Sequence, residues 1–263
     1  MKKTLTACAV VGAAALAASP AGAAEPPRIL PPDIPFPADQ IEHRVSRHCQ
    51  EVSGIYAQFG RNGCLTIDSW ITSDRDHEVA RDATSGELIA ENATVDGTVF
   101  SWTANRNVLF VVPTTPNRPS NITREARAAM TRELIQRGWY QVSGEQVRDG
   151  RALLVLTETA QSPADSGNTT LLVDKASYET VEMTFVSRDG KQKFVDTQLS
   201  VEQLPRNAAN SKLLNMGDHP TATVRQVEGD DDVIASAARK VGIKAKTRAK
   251  IARKARAGKK AGR

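Results

Sequence analysis

Three groups of side chains in this sequence have the types and spacing to do chemistry: a cysteine pair, a set of bulky apolar residues, and a run of cations at the carboxyl end. Cys49 and Cys64 form an isolated pair, and in an oxidising compartment such a pair usually bridges. Closing a loop of this length stabilises a fold by about 3 kcal/mol in the chain-entropy description. The alternative is two separate buried thiols. The four histidines, His43, His48, His77 and His219, lack a ligand spacing with either cysteine. His48 beside Cys49 is one adjacent pair and cannot close a tetrahedral site. No metal and no other cofactor is therefore expected. The sequence has no Gly-x-Ser-x-Gly element, no cysteine–histidine pair in a catalytic context and no glycine-rich phosphate loop. Asp74/Asp76 and Asp230/Asp231/Asp232 read as solvated loops. The expectation is a protein that binds and does not catalyse.

The binding candidates are apolar. Trp70, Phe100, Trp102, Met183 and Phe185 are the side chains expected to wall a hydrophobic cavity, with Met130 and Leu134 on its lid side. Packing in an ordinary core is the other reading of each. The cations are Arg239, Lys240, Lys244, Lys246, Arg248, Lys250, Arg253, Lys254, Arg256, Lys259, Lys260 and Arg263, and no acid follows Asp232. Taking these twelve and Lys2 and Lys3 from the 35 basic residues leaves 21 against 30 acids, so the body carries about −9 and the tail +12. Val241, Ile243 and Ile251 look too sparse for an apolar stripe, so the tail reads as disordered beyond a Gly229–Asp232 linker. Such a run attracts an anionic membrane surface or a wall polymer; nucleic acid is the least expected polyanion in an exported protein. On this reading, truncation after Asp232 leaves the folded domain intact.

The elements that must position these residues follow from period and punctuation. Residues 1–23 read as a secretory signal peptide, with Lys2 and Lys3, an apolar run from Leu5 to Leu16, and Ala21-Gly22-Ala23. Cys8 precedes most of that run, so the box around it is not read as a lipid-attachment site. Residues 24–37 are a proline-rich extended leader, 38–228 the folded domain, and 229–263 the linker and tail. Within the domain, Ala38 to Val52 reads as a helix, with Ile41, Val45 and Cys49 at spacing four. Ile55–Phe59 and Leu65–Ile71 flank an Asn-Gly turn, and short strands follow at Glu78–Asp82, Leu88–Ala93, Val99–Thr103 and Val108–Val112. Ile122–Arg137 is a helix ending at Gly138. Strands resume at Trp139–Ser143 and Ala152–Thr159.

The organising stretch is Leu171–Pro205, three antiparallel strands. Its second turn is expected to be a three-residue loop, Arg188-Asp189-Gly190, because a two-residue loop would pair Phe185 with Phe194 and set an oily face against a charged one. A last strand is expected at Thr221–Val227. The class is mainly β (α+β): an antiparallel sheet of about eleven strands with one or two covering helices.

"DATSGELIAENATVDGTVFSW", "GWYQVSGEQVRDGRALLVLTE" and "LLVDKASYETVEMTFVSRDGKQKF…SVEQLP" together resemble the LolA-like superfamily over roughly Val52 to Val227. That superfamily includes outer-membrane lipoprotein carrier proteins, mycobacterial lipid-binding lipoproteins and the amino-terminal domain of RseB-type sigma-E regulators. The resemblance implies a strongly curved half-barrel whose inner face is closed by helices and binds the acyl chain of a lipid or an acylated lipoprotein. It also implies a cell-envelope location, periplasm or wall. Asp174 and Gly150-Arg151 sit where RseB-type sequences carry similar residues, which admits an anti-sigma factor as a partner. No counterpart is identifiable for the arginine that carrier proteins use to hold their lid. The basic tail begins where the second domain of the full regulator would start. A structural or adhesive wall protein held by its tail is the remaining alternative.

Overall fold

A computed structural model describes residues 32, 34–53, 62–113, 122–163, 167–226 and 231–252. The signal peptide, most of the proline-rich leader, the Ile55–Phe59 strand and the cations beyond residue 252 lie outside the described residues.

Among the described residues, twelve strands form one sheet. They are β1 (Gln40–Val52), β2 (Gly63–Ile71), β3 (Arg75–Asp82), β4 (Leu88–Val95), β5 (Thr98–Thr103), β6 (Val108–Pro113), β7 (Tyr140–Arg148), β8 (Arg151–Glu158), β9 (Gly167–Asp174), β10 (Thr180–Ser187), β11 (Gln192–Pro205) and β12 (Thr223–Gln226). The spatial order is β12-β6-β5-β4-β3-β2-β1-β11-β10-β9-β8-β7, so the sheet keeps two edges and does not close. One meander runs outward from β1 to β6. The chain then crosses to the far edge and a second meander returns from β7 to β11, where β11 pairs with β1 along its whole length. All pairs are antiparallel except β12 with β6, which is parallel. The crossing segment carries α1 (Arg124–Gln136). Its amino end is capped by Thr123, whose Oγ1 accepts from Ala126 N at 3.1 Å. Its carboxyl end turns at Gly138, where φ is +69°, and Trp139 N donates back to Leu134 O, the closure that glycine makes sterically easy. Two further helices follow the sheet, α2 (Asp231–Lys240) and α3 (245–252).

The turns at Asp96-Gly97 and Asp149-Gly150 are type I′, all four residues taking positive φ. Three expectations are corrected. Ala38–Val52 is not a helix but contributes the central strand β1. A spacing of four is even, so Ile41, Val45 and Cys49 lie on one side of a strand as readily as on one stripe of a helix. The β10–β11 turn is not a three-residue loop, because Phe185 does face Phe194. Parity is restored farther along: the β1 register jumps from Val45↔Ser200 to Ser46↔Gln198, leaving Leu199 as a bulge, 47% exposed. The first part of the basic tail is not disordered. Ile234, Ala237, Ala238, Val241, Ile243 and Ile251 of α2, α3 and the link between them are at most 4% exposed, in one cluster with Phe100, Leu109, Val111 and Val224.

Candidate functional site

Opposed residues of neighbouring strands share a face, so the register assigns faces. On β1, Glu42 and His43 are consecutive and point to opposite sides. Following Glu42 leads to Ile71 and Gln203; following His43 leads through Trp70, His77, Ala93 and Phe100 to Val111. The α1 helix lies on the Glu42 face, and α2 and α3 lie on the Phe100 face. Each face is thus covered by described helices over one half of the sheet: α1 packs on β7 and β10, and α2 packs on β5.

Two kinds of contact hold α1 down. Leu134 and Ile135, near its carboxyl end, pack with Met183, Tyr140 and Tyr178 against Leu154, Leu156, Leu171 and Val173. Arg132 reaches Ser177 O at 3.0 Å and stacks over Tyr178. Near its amino end, Arg124 Nε donates to Glu179 at 2.7 Å and Arg127 Nη2 to Glu42 at 2.9 Å. Both carboxylates are 1% exposed. Glu42 also accepts from Arg44 at 2.5 Å. Burial pushes its carboxyl upward, but Arg127 and Arg44 beside it overcome this and hold it below the ordinary range.

Away from α1 the same face changes character. Leu65, Ile67 and Ile71 on β2, Val99 on β5 and Phe110 and Val112 on β6 are half-buried. Phe185 stacks on Phe194 with centroids 4.8 Å apart, and His48 Nδ1 donates to the Asp196 carboxylate at 2.5 Å beside them. A polar row, Arg44, Ser69, Glu78, Asn92 and Ser101, runs between the apolar groups.

Asp76, in this face of β3, is not a solvated loop residue: burial, with Glu78 nearby, raises its carboxyl to about 6 from 3.8. Its folded value lies above its unfolded one, so its contribution is fully present below about pH 3.8 and is lost as pH rises through about 6. Asp76→Asn keeps a partner for Thr94. It should leave stability unchanged near pH 4 and raise it by about 1–3 kcal/mol near pH 7.5. Urea unfolding of both proteins at the two pH values checks this; equal stability near pH 7.5 would contradict it.

The residues expected to wall one cavity do not share a face. Met183 and Leu134 pack in one cluster on the α1 face, Phe185 lies on the same face stacked on Phe194, and Met130 is half-buried on α1 itself. Phe100 is fully buried beneath α2 and α3, and Trp102 packs against the same cluster. Trp70 lies between His43 and His77, at centroid distances of 5.0 and 5.4 Å. Parity within each strand was visible, but which side faces α1 depends on pairings between distant strands.

The sequence reading also missed a buried carboxylate site on the Phe100 face. Glu91, 5% exposed, accepts from His77 Nε2 at 2.7 Å, His219 Nε2 at 2.6 Å and Gly217 N at 2.6 Å. Burial opposes ionisation there, yet the bonds from His219, His77 and Gly217 bring its pKa down to about 2. His219 stacks on Trp102 at 4.0 Å. The strand pattern around His77 and Glu91 offered no signal, since His219 arrives from 128 residues away.

Cys49 and Cys64 face one another across β1 and β2 and are bridged. Asp174 accepts from Arg151 and from the amides of Ala176 and Ser177, so these two residues staple the β9–β10 turn. Among the described residues no three His, Cys, Asp or Glu side chains converge to hold a metal ion.

No protein-family model and no curated protein matches the chain. Among solved structures it is similar to an uncharacterised conserved protein from Thermus thermophilus, at 12% identity and a TM-score of 0.42 over 72% of this chain and 91% of that one. It is similar to a chain of the Pseudomonas aeruginosa MucA/MucB complex at 16% identity and a TM-score of 0.38, over 72% of this chain and 59% of that one. It is also similar to a LolA superfamily protein from Nitrosomonas europaea, at 10% identity and a TM-score of 0.29 over 70% of this chain and 93% of that one. At such values these likenesses concern architecture and say nothing of ligands.

Proposed function

We propose that this chain is an exported, non-catalytic protein of the cell envelope that binds the acyl chain of a lipid or lipoprotein on the α1 face of its sheet. One observation carries the reading. The face that α1 covers at β7 to β10 continues past β1 with Leu65, Ile67 and Ile71 half-buried on β2 and Val99, Phe110 and Val112 half-buried on β5 and β6, with Ala80, Ala90, Asp76 and Thr94 between them on β3 and β4, and the described helices pack elsewhere. Apolar surface of that extent beside a covering helix is what an acyl chain fills. Met130, Leu134, Met183 and Phe185 border it from the α1 side. Phe100 and Trp102 are structural on this account, because the chain's own carboxyl-terminal helices pack on them, and Trp70 lies on that same opposite face between His43 and His77. The polar row through Glu78 and Asn92 gives an amphipathic ligand somewhere to place a hydrogen-bonding head.

A fluorescent long-chain fatty acid tests the reading. Ile67→Glu puts a charge into the apolar strip and should weaken binding at least tenfold, about 1.4 kcal/mol or more. Val147→Glu, at a site 75% exposed on the edge strand, should leave binding unchanged. Absence of saturable binding to the full chain would contradict the reading, and so would equal binding by both variants.

A further inference from the structure

The cations of α2 and α3 do not hang free; they sit on helices whose inner sides are part of the core. Ile234, Ala237, Ala238, Val241, Ile243, Thr247 and Ile251 face inward and are at most 4% exposed. Arg239, Lys240, Lys244, Lys246 and Arg248 are left for the other side, while Lys250 Nζ turns back to donate to Pro220 O at 2.6 Å. Arg239 and Lys246 are exposed, and the Lys244 side chain is 72% exposed. Lys240 pairs with Asp96 and Lys244 with Asp218, which leaves Arg239, Lys246 and Arg248 uncompensated by these acids.

We propose that this folded cap is a docking surface for an anionic lipid bilayer, and that it holds the molecule with its α1 face turned away from the membrane. The inference does not rest on acyl-chain binding. The cations spread along two helices without converging on one point, which suits a plane of head groups better than a single small anion. The apolar side of the cap is already consumed by Phe100, Leu109, Val111 and Val224, so little is left to insert. Adsorption is therefore electrostatic, unlike that of an amphipathic helix that buries its oily face in lipid. No helix among the described residues is long and apolar enough to cross a membrane. The orientation follows from the register: the cap covers the face of His43 and Phe100, and α1 covers the face of Glu42.

Vesicle sedimentation of the full exported chain tests the docking. Binding to phosphatidylglycerol-rich vesicles should be strong at low salt and fall steeply as salt rises, while binding to phosphatidylcholine alone should be negligible. Each Lys or Arg near an anionic surface multiplies partitioning by roughly fivefold, so Lys246→Glu with Arg248→Glu should cost about twenty-five-fold or more. The melting temperature should not change, since neither side chain lies in the core. For orientation, a fluorophore on Ala249→Cys should lose access to acrylamide on vesicle binding, and one on Gln136→Cys of α1 should not. Equal binding to both vesicle types, no effect of the double variant, or protection of both labels would overturn the proposal. Tighter retention by a soluble anionic polymer than by vesicles at equal phosphate would assign the surface to a polymer instead, and would equally overturn it.

Discussion

Cutting the chain after Asp232 should unfold or aggregate the protein, not free a stable domain from its tail. The cut removes Ile234, Val241, Ile243 and Ile251, each at most 4% exposed, and with them Ala237 and Ala238 at 0%. Burying an Ile or Val side chain contributes about 1.5–3 kcal/mol, so the four large ones alone represent about 6–12 kcal/mol. That is comparable with the whole stability of a typical domain, about 5–15 kcal/mol, even before the ordering entropy of the helices is set against it. The cut also uncovers Phe100, Leu109, Val111 and Val224, a contiguous apolar patch of the kind that aggregates. A cut after Ala252 keeps every one of these residues and should melt within a few degrees of the full chain. Thermal unfolding of the two truncations decides the matter. If the shorter one melts like the longer, the helices are an appendage and the packing described here is wrong.

The second large effect concerns the buried ends of the α1 ion pairs. Glu42→Ala should destabilise the protein by about 3 kcal/mol, because it leaves Arg127 and Arg44 partly buried without their carboxylate. For a domain of this size that is roughly 6–12 °C in melting temperature. Breaking one partner of a buried pair is costly mainly through the charge left behind. The double change Glu42→Met with Arg127→Met should therefore recover much of the loss, which Glu42→Ala with the Arg44 and Arg127 charges intact cannot. Calorimetry on the three proteins reads both outcomes. If Glu42→Ala melts within about a degree of the unaltered chain, the ion pairs do not hold α1.

The parts of this fold that were legible in the sequence are those fixed by neighbours in the chain. The Asp96-Gly97 and Asp149-Gly150 turns required residues tolerant of positive φ, and both form as type I′ hairpins. Gly138 ends α1 as expected, because such a closure is a local matter, whereas the helix starts at Arg124 behind its Thr123 cap and not at Ile122. Where the reading failed, the deciding contact was distant. Ile41, Val45 and Cys49 suit helix and strand alike, and β1 is a strand because β2 and β11 pair with it on both sides. The Leu199 bulge could not be seen because an extra residue shows only against its partner strand. The cap hid its apolar side in alanine: Ala237 and Ala238 are core residues because small side chains let a helix approach the sheet closely. Scattered Ile and Val, weak as a stripe, suffice when the surface opposite them is Phe100, Leu109 and Val111.

The site was half legible for the same reason. Met183 and Phe185 alternate within one strand, and their shared face could be read directly. Trp70, Phe100 and Trp102 alternate as regularly, yet on the face opposite α1. Only the register carried from β1 to β6 separates the two sets.

The central claim, an acyl chain on the α1 face, is tested most directly by photolabelling. A long-chain fatty acid carrying a diazirine in its tail would be bound to the full chain, photolysed, and its adducts mapped by peptide mass spectrometry. The account predicts adducts within Leu65–Ile71 and Val108–Val112 and on Met130, competed away by unlabelled fatty acid. Adducts confined to α2 and α3, or adducts that unlabelled fatty acid does not displace, would contradict it.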